Sequence, residues 1–227
     1  IGKYLFSIGY KVFLNMMQIT TLKNEKLKLI SQKLKKAHYI NVFYIADSLG
    51  DLDKKKLKAI YEIFSKIKKP LGIHAHDSMG NAIKNSMHAV RNGVTWIDGT
   101  VTGMGRGPGN AQTEYLSIEL DDYQKLSTSK IKLFKLIRNH FKSLKEYYGW
   151  GLNPYYYLAG KNGVHPTYIQ KMISDNRYQE EDIVAVINYL KEQEGGKFNP
   201  NTLETARHFY LGDTKGTWLP ENFIKNH

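Results

Sequence analysis

The sequence predicts an α/β fold: four βα units building a parallel sheet, followed by an all-helical region. Three observations carry this. Short continuous apolar runs alternate with segments of helical periodicity over the first 120 residues. The runs are apolar throughout, as parallel strands covered on both faces are. From about Asp121 onward no strand signal recurs among the 227 residues.

The elements follow in order. The chain opens at Ile1 inside a short amphipathic stretch, without a methionine, so a preceding segment is expected. Lys11–Met16 (KVFLNM) reads as the first strand, and Lys23–Lys36 as a helix through Leu27, Ile30 and Leu34. Asn41–Ala46 (NVFYIA) is the second strand. A helix over Asp53–Lys68 follows, with Leu57, Ile60, Ile63 and Ile67 on one face. Leu71–His74 is the third strand and Asn81–Asn92 the third helix, closed by Gly93. Val94–Thr100 is the fourth strand and Ala111–Leu120 the fourth helix. Each unit takes about 25–30 residues, an ordinary βα length.

The helical region comprises Lys130–Glu146, Pro154–Lys161, Pro166–Ser174, Glu180–Gln193 and Asn201–Leu211. It is broken at Gly149–Asn153, Gly163–His165 and Gly195–Pro200. The domain reading is therefore 1–120 α/β region, 121–211 helical module and 212–227 linker or tail.

Composition bounds the function. With 41% hydrophobic and 24% charged residues the chain is neither disordered nor a coiled coil. No apolar run approaches the ~20 residues of a membrane span. The absence of cysteine excludes disulfides and thiolate chemistry and fits a cytoplasmic protein. The net charge of +12 suggests nucleic acid at first sight. However, Lys supplies 28 of the 33 basic residues, spread over helix faces, without the Arg forks and interleaved aromatics of a nucleic-acid surface. The reading is no nucleic acid and no membrane.

The chemistry gathers where the strands end. The first strand ends at Asn15 and Gln18, the second at Asp47 and Ser48, and the third at His74-Ala75-His76-Asp77-Ser78. The fourth ends at Asp98, Thr100 and Thr102. Polar C-terminal strand ends mark the active face of a (β/α)₈ barrel and equally the ligand edge of an open α/β sheet. His74 and His76 are two apart on a strand, so both point to one face and suit a shared divalent ion. The competing reading is one packed and one hydrogen-bonded imidazole.

Gly103–Asn110 holds four glycines in eight residues and reads as a loop closing over a ligand, or as a plain turn. It lacks the Gly-Lys-Ser/Thr ending of a phosphate loop and the glycine spacing of a dinucleotide fingerprint. Asn110 can supply an amide oxygen, and Arg106 can hold a carboxylate. Asp47 either shapes the site or caps the turn before Gly50. Asp98 is read as structural rather than as support for the histidines. Glu114 is read as favourable charge at a helix start, and His165 as a helix-start residue. No catalytic acid, base or nucleophile is identifiable.

The stretches Gly72–Gly80 (GIHAHDSMG) and Val101–Glu114 (VTGMGRGPGNAQTE) resemble the pyruvate carboxyltransferase-like superfamily of metal-dependent barrels. That group includes 4-hydroxy-2-oxovalerate aldolases, hydroxymethylglutaryl-CoA lyases, and isopropylmalate and homocitrate synthases. The resemblance covers about residues 1–120. It implies strands five to eight of a TIM barrel, with His74, His76 and Asn110 on a divalent metal. Mn²⁺ or Mg²⁺ is expected first and Zn²⁺ second. It implies a small 2-oxo acid as substrate, and Asn15, Gln18, Asp47, Ser48 and Arg106, from their places at the strand ends and on the loop, are the residues read as facing it. It also implies an Asp-Arg segment, with strands one to four, that this sequence does not contain. Such a missing half would come from the same protein or an oligomeric partner. Gly107 stands where the hydroxymethylglutaryl-CoA lyases carry a loop cysteine, which argues against that activity. The resemblance thus implies an aldolase-type carbon–carbon lyase passing through a pyruvate enolate. The alternatives are a Claisen-type acyl-CoA synthase and an inactive scaffold or partner-binding fragment.

Overall fold

A computed structural model describes residues 1–193 and 195–210, with side chains through Ala206. The expected tail, 212–227, lies outside the described residues, as does Leu211. The chain divides into two compact units, residues 1–153 and 154–227.

The first unit opens with α1 (Gly2–Ser7), six residues long and with no buried side chain. Four βα units follow: β1 (Phe13–Met16), α2 (Asn24–Lys36), β2 (Val42–Asp47), α3 (Lys54–Phe64), β3 (Leu71–Ala75), α4 (Ala82–Arg91), β4 (Trp96–Ile97) and α5 (Thr113–Gln124). The strands form one sheet in the order β1-β2-β3-β4, every pair parallel. β2 is buried at all six positions, which explains its unbroken apolar run. Local chemistry sets the helix limits. Asp53 accepts from the Lys56 amide at 2.7 Å and starts α3, a cap worth about 1 kcal/mol.

The two sheet faces differ. Phe43, Ile45 and Ile73 point toward the helices and meet Leu27, Leu57, Phe64 and Met87 in the main core. The Phe43 and Phe64 rings stack at 4.5 Å. The opposite face carries Phe13, Tyr44, Gly72 and Trp96: Tyr44, Gly72 and Trp96 stand level with one another, and Phe13 pairs with Val42, two residues before Tyr44 on the same face. A Cβ on Gly72 would approach the Tyr44 ring to 2.6 Å, so the glycine makes room for the tyrosine.

β4 is shorter than the Val94–Thr100 expectation. After Asp98, whose amide still donates to Ile73 O at 3.1 Å, the chain leaves the sheet. Thr100 instead exchanges bonds with Ala111 and Thr113, at 3.0 and 2.9 Å. The glycine loop folds back there and takes the ladder's place. The helix expected over Lys130–Glu146 runs from α6 (Ile131–Leu136) through a π-helical segment, Ile137–Phe141, into α7 (Lys142–Tyr148). It belongs with the first unit, so the compact division falls after Asn153 rather than after residue 120.

The second unit contains α8 (Pro154–Lys161), α9 (Pro166–Ile173), α10 (Glu180–Glu192) and α11 (Pro200–Tyr210), and among its described residues no strand. His165 starts α9 by accepting from the Thr167 amide at 3.3 Å. Tyr156, Tyr168, Ile169, Met172, Ile187 and Leu190 form a separate core. No described helix is long and apolar enough to cross a membrane.

Candidate metal and substrate site

The third strand delivers the two histidines. Their rings lie side by side, 5.0 Å between centroids and at 85°. Each Nδ1 is already engaged. His76 Nδ1 lies 2.7 Å from the Asp47 carbonyl oxygen, which can only accept, so this nitrogen carries the proton. His74 Nδ1 lies 2.9 Å from Asp98 Oδ2, which accepts in the same way. Both Nε2 atoms are thereby left with their lone pairs outward, the arrangement that metal-binding imidazoles adopt. Burial lowers the pKa of His76, with nearby His74 and Arg106 acting in the same direction and its carbonyl partner opposing them. The net lowering favours the neutral, ligating form of His76.

The glycine loop brings Asn110 beside His76. The Asp77 amide donates to Gly109 O and the Ala111 amide to Ala75 O, both at 3.1 Å, bracketing an antiparallel bridge between His76 and Asn110. Asn110 Nδ2 donates to Met104 O at 3.1 Å, while Oδ1 is buried without a hydrogen-bond partner. A buried acceptor without a donor is costly, and a cation would relieve it. Two imidazole nitrogens and this amide oxygen are donors of the kind that a divalent ion takes into its coordination sphere. Among the described residues no group of three or more His, Asp or Glu is placed to hold a metal, so no carboxylate completes it.

The loop owes its shape to its glycines. Gly109 has φ +77°, and a Cβ there would strike the Gly103 carbonyl; one on Gly105 would strike the Asn110 amide. Glu114 is buried and its Oε2 accepts from the Thr102 amide at 3.0 Å, where Thr102 sits at φ 55°. Trp150 Nε1 donates to Thr102 O at 3.1 Å, and the Gly151 amide donates to Gly107 O at 3.0 Å. Glu114 is therefore a loop anchor as well as a helix-start charge.

The remaining sequence candidates separate. Asp47 is fully buried and its carboxylate accepts from the Asp51 and Leu52 amides at 3.1 to 3.3 Å. These are the contacts of the capping reading, and only its carbonyl reaches the histidines. Burial, then the charge of Asp51, pushes the carboxyl up to about 7 against those amide bonds. Ser48 is buried and accepts from the Gln18 amide at 2.8 Å, tying the ends of β1 and β2 together. Gln18 is held in the left-handed region at φ 52°. Asn15 is exposed and level with Tyr44, and Arg106 is exposed on the loop.

Sequence reasoning missed the role of Asp98 and Tyr44. The available signal was strand parity: Gly72 pairs with Trp96, so two residues on, His74 stands level with Asp98. Tyr44 is buried beneath them. Burial, then the charge of Asp98, then its hydrogen bonding raises the Tyr44 hydroxyl to about 12.

These features define a parallel α/β protein with a histidine pair and a glycine loop at the strand ends. The chain belongs to the HMGL-like family, whose model matches residues 2–140, more than half of the sequence. Among curated relatives, the 4-hydroxy-2-oxovalerate aldolase of Carboxydothermus hydrogenoformans is 40% identical over 91 residues. That stretch is 39% of this chain and 27% of the relative. The enzyme of the same name from Moorella thermoacetica is 43% identical over 86 residues, 37% of this chain and 25% of the relative. The aligned part thus spans about a quarter of each of these relatives. Among solved structures, the N-terminal domain of a proposed aldolase from Bacteroides vulgatus superposes with a TM-score of 0.68 at 29% identity. It covers 81% of this chain and 60% of that one. The carboxyl transferase domain of Rhizobium etli pyruvate carboxylase, at 13% identity, shares the fold with a TM-score of 0.69. It covers 98% of this chain and 42% of that one.

Proposed function

We propose that this chain carries the histidine half of the active site of a divalent-metal-dependent aldolase-type lyase that cleaves a 4-hydroxy-2-oxo acid to release pyruvate. The observation that supports it most directly is the histidine pair with both Nδ1 atoms engaged and both Nε2 atoms free. Names of relatives support the reaction class.

His74, His76 and Asn110 would hold the ion, Mn²⁺ or Mg²⁺ in first place. When bound, it supplies Lewis-acid polarisation to the 2-oxo acid. The protein's own residues do the rest. The Asp47 carbonyl and Asp98 keep protons on the two Nδ1 atoms. Arg106 offers a guanidinium to the substrate carboxylate, and Asn15 offers an exposed amide at the end of β1. In this reading β1–β4 are strands five to eight of a TIM barrel, which takes eight strands to close. The outer edges of β1 and β4 lack strand partners among the described residues, and Phe13 and Trp96 are part-exposed on the inner face. Four further strands, from the same protein or a partner, would cover them and bring the missing carboxylate ligand.

The test is pyruvate release from 4-hydroxy-2-oxovalerate with Mn²⁺, by the chain alone and with the four missing strands supplied. Release that requires both the added strands and His74 supports the reading. Release by the chain alone at an ordinary rate overturns the half-site. No release in either case, with Mn²⁺ bound, overturns the lyase assignment.

A further inference from the structure

Resting on the metal reading above, we propose that Asp98 is a positioning residue for metal binding: seated against Tyr44, it locks His74 in the tautomer that presents Nε2. The two histidines are held differently. His76 donates to a backbone carbonyl, which no side-chain substitution removes. His74 depends on a side chain 24 residues away, Asp98, at 2.9 Å. A carboxylate on the far nitrogen makes an imidazole a stronger donor to a cation. It also places a negative charge one residue behind a ligand set that has none of its own among the described residues.

Asp98 needs support because its side chain is 42% exposed and free to turn toward water. Tyr44 supplies it. The tyrosine is 8% exposed, its ring lies over Gly72, and the Phe13 ring is 6.2 Å away. Tyr44 stands level with Gly72 and Trp96, two residues before Asp98 in the sheet register, and the charge and hydrogen bonding of Asp98 act on its hydroxyl. The chain of causes runs from Gly72, which leaves room for the ring, through Tyr44 and Asp98 to His74. Asp98 is not itself placed as a third ligand; its effect passes through His74.

The experiment uses the full chain and two readouts. Imidazole ¹⁵N NMR of the metal-free protein reports the His74 tautomer, and Mn²⁺ titration followed by EPR reports affinity. Asp98→Asn is isosteric, but its amide can donate to Nδ1 and move the proton to Nε2, the wrong tautomer. It is expected to shift the His74 signals toward that form and to weaken Mn²⁺ binding by about 10- to 100-fold. Asp98→Glu should recover part of both. Tyr44→Phe and Gly72→Ala should produce the same change to a smaller degree, with circular dichroism unchanged for Tyr44→Phe. His74→Ala is the reference. If it abolishes Mn²⁺ binding while Asp98→Asn keeps both the tautomer and the affinity, the positioning role is overturned. If His74→Ala leaves Mn²⁺ binding intact, the metal reading falls instead, and the NMR result alone decides whether Asp98 sets the tautomer.

Discussion

Phe13 and Trp96 stand on the two outer strands of the sheet, yet their rings meet edge to face with centroids 5.0 Å apart. The contact reaches across β2 and β3, which lie between them in the sheet. The strands must therefore curl, and Gly72, without a side chain at the middle of this row, leaves the space. We expect a double-mutant cycle of Phe13→Ala and Trp96→Ala, followed by urea unfolding, to give a coupling of about 0.5–1.5 kcal/mol. A coupling near zero would mean that the rings do not hold the two edges together.

The glycine loop offers a sharper test of strain. Gly109→Ala introduces a side chain at φ +77° and drives it into the Gly103 carbonyl. A loss of about 1–3 kcal/mol is expected in chemical denaturation. Gly9→Ala, also at positive φ but with open space around it, should cost less. Equal losses would show that backbone conformation, not the close approach, sets the sequence at 109.

Acid stability should depend on Asp121. Hydrogen bonds from Lys130 and from the Thr128 hydroxyl and amide hold its carboxyl down to about 2. Its folded pKa is depressed, so its contribution is present above the unfolded value near 4 and is lost as pH falls toward 2. Asp121→Asn should therefore lower stability at neutral pH and flatten the decline across that window. Parallel curves for the two proteins would remove the clamp from the stability of the α5–α6 turn.

Tyr168 tests the helical unit by itself. Its hydroxyl donates to Lys197 O at 3.0 Å and accepts from the Asn199 amide at 2.9 Å, while the residue is 1% exposed. Tyr168→Phe leaves both groups short of a partner. We expect a loss of about 1–3 kcal/mol in the unfolding of residues 154–227, with the first unit's transition unchanged. A neutral substitution would show that water replaces the hydroxyl at both positions.

The sequence by itself determined the alternation of strands and helices, because a short unbroken apolar run and a period-3.6 apolar face are local patterns that each segment displays alone. It also placed His74 and His76 on one face, since two residues along a strand always share a side. What it could not determine was where each polar side chain at the strand ends would turn. Asp47 spends its carboxylate on the Asp51 and Leu52 amides, Glu114 reaches Thr102, Trp150 reaches the same residue from 48 positions away, and Asp98 meets His74 across a strand pair. The shortening of β4 has the same origin, because the returning loop competes for Thr100. Each of these is a hydrogen bond chosen among partners distant in the chain. Only the tertiary structure decides it, since the free energy depends on which donors and acceptors burial has brought within 3 Å.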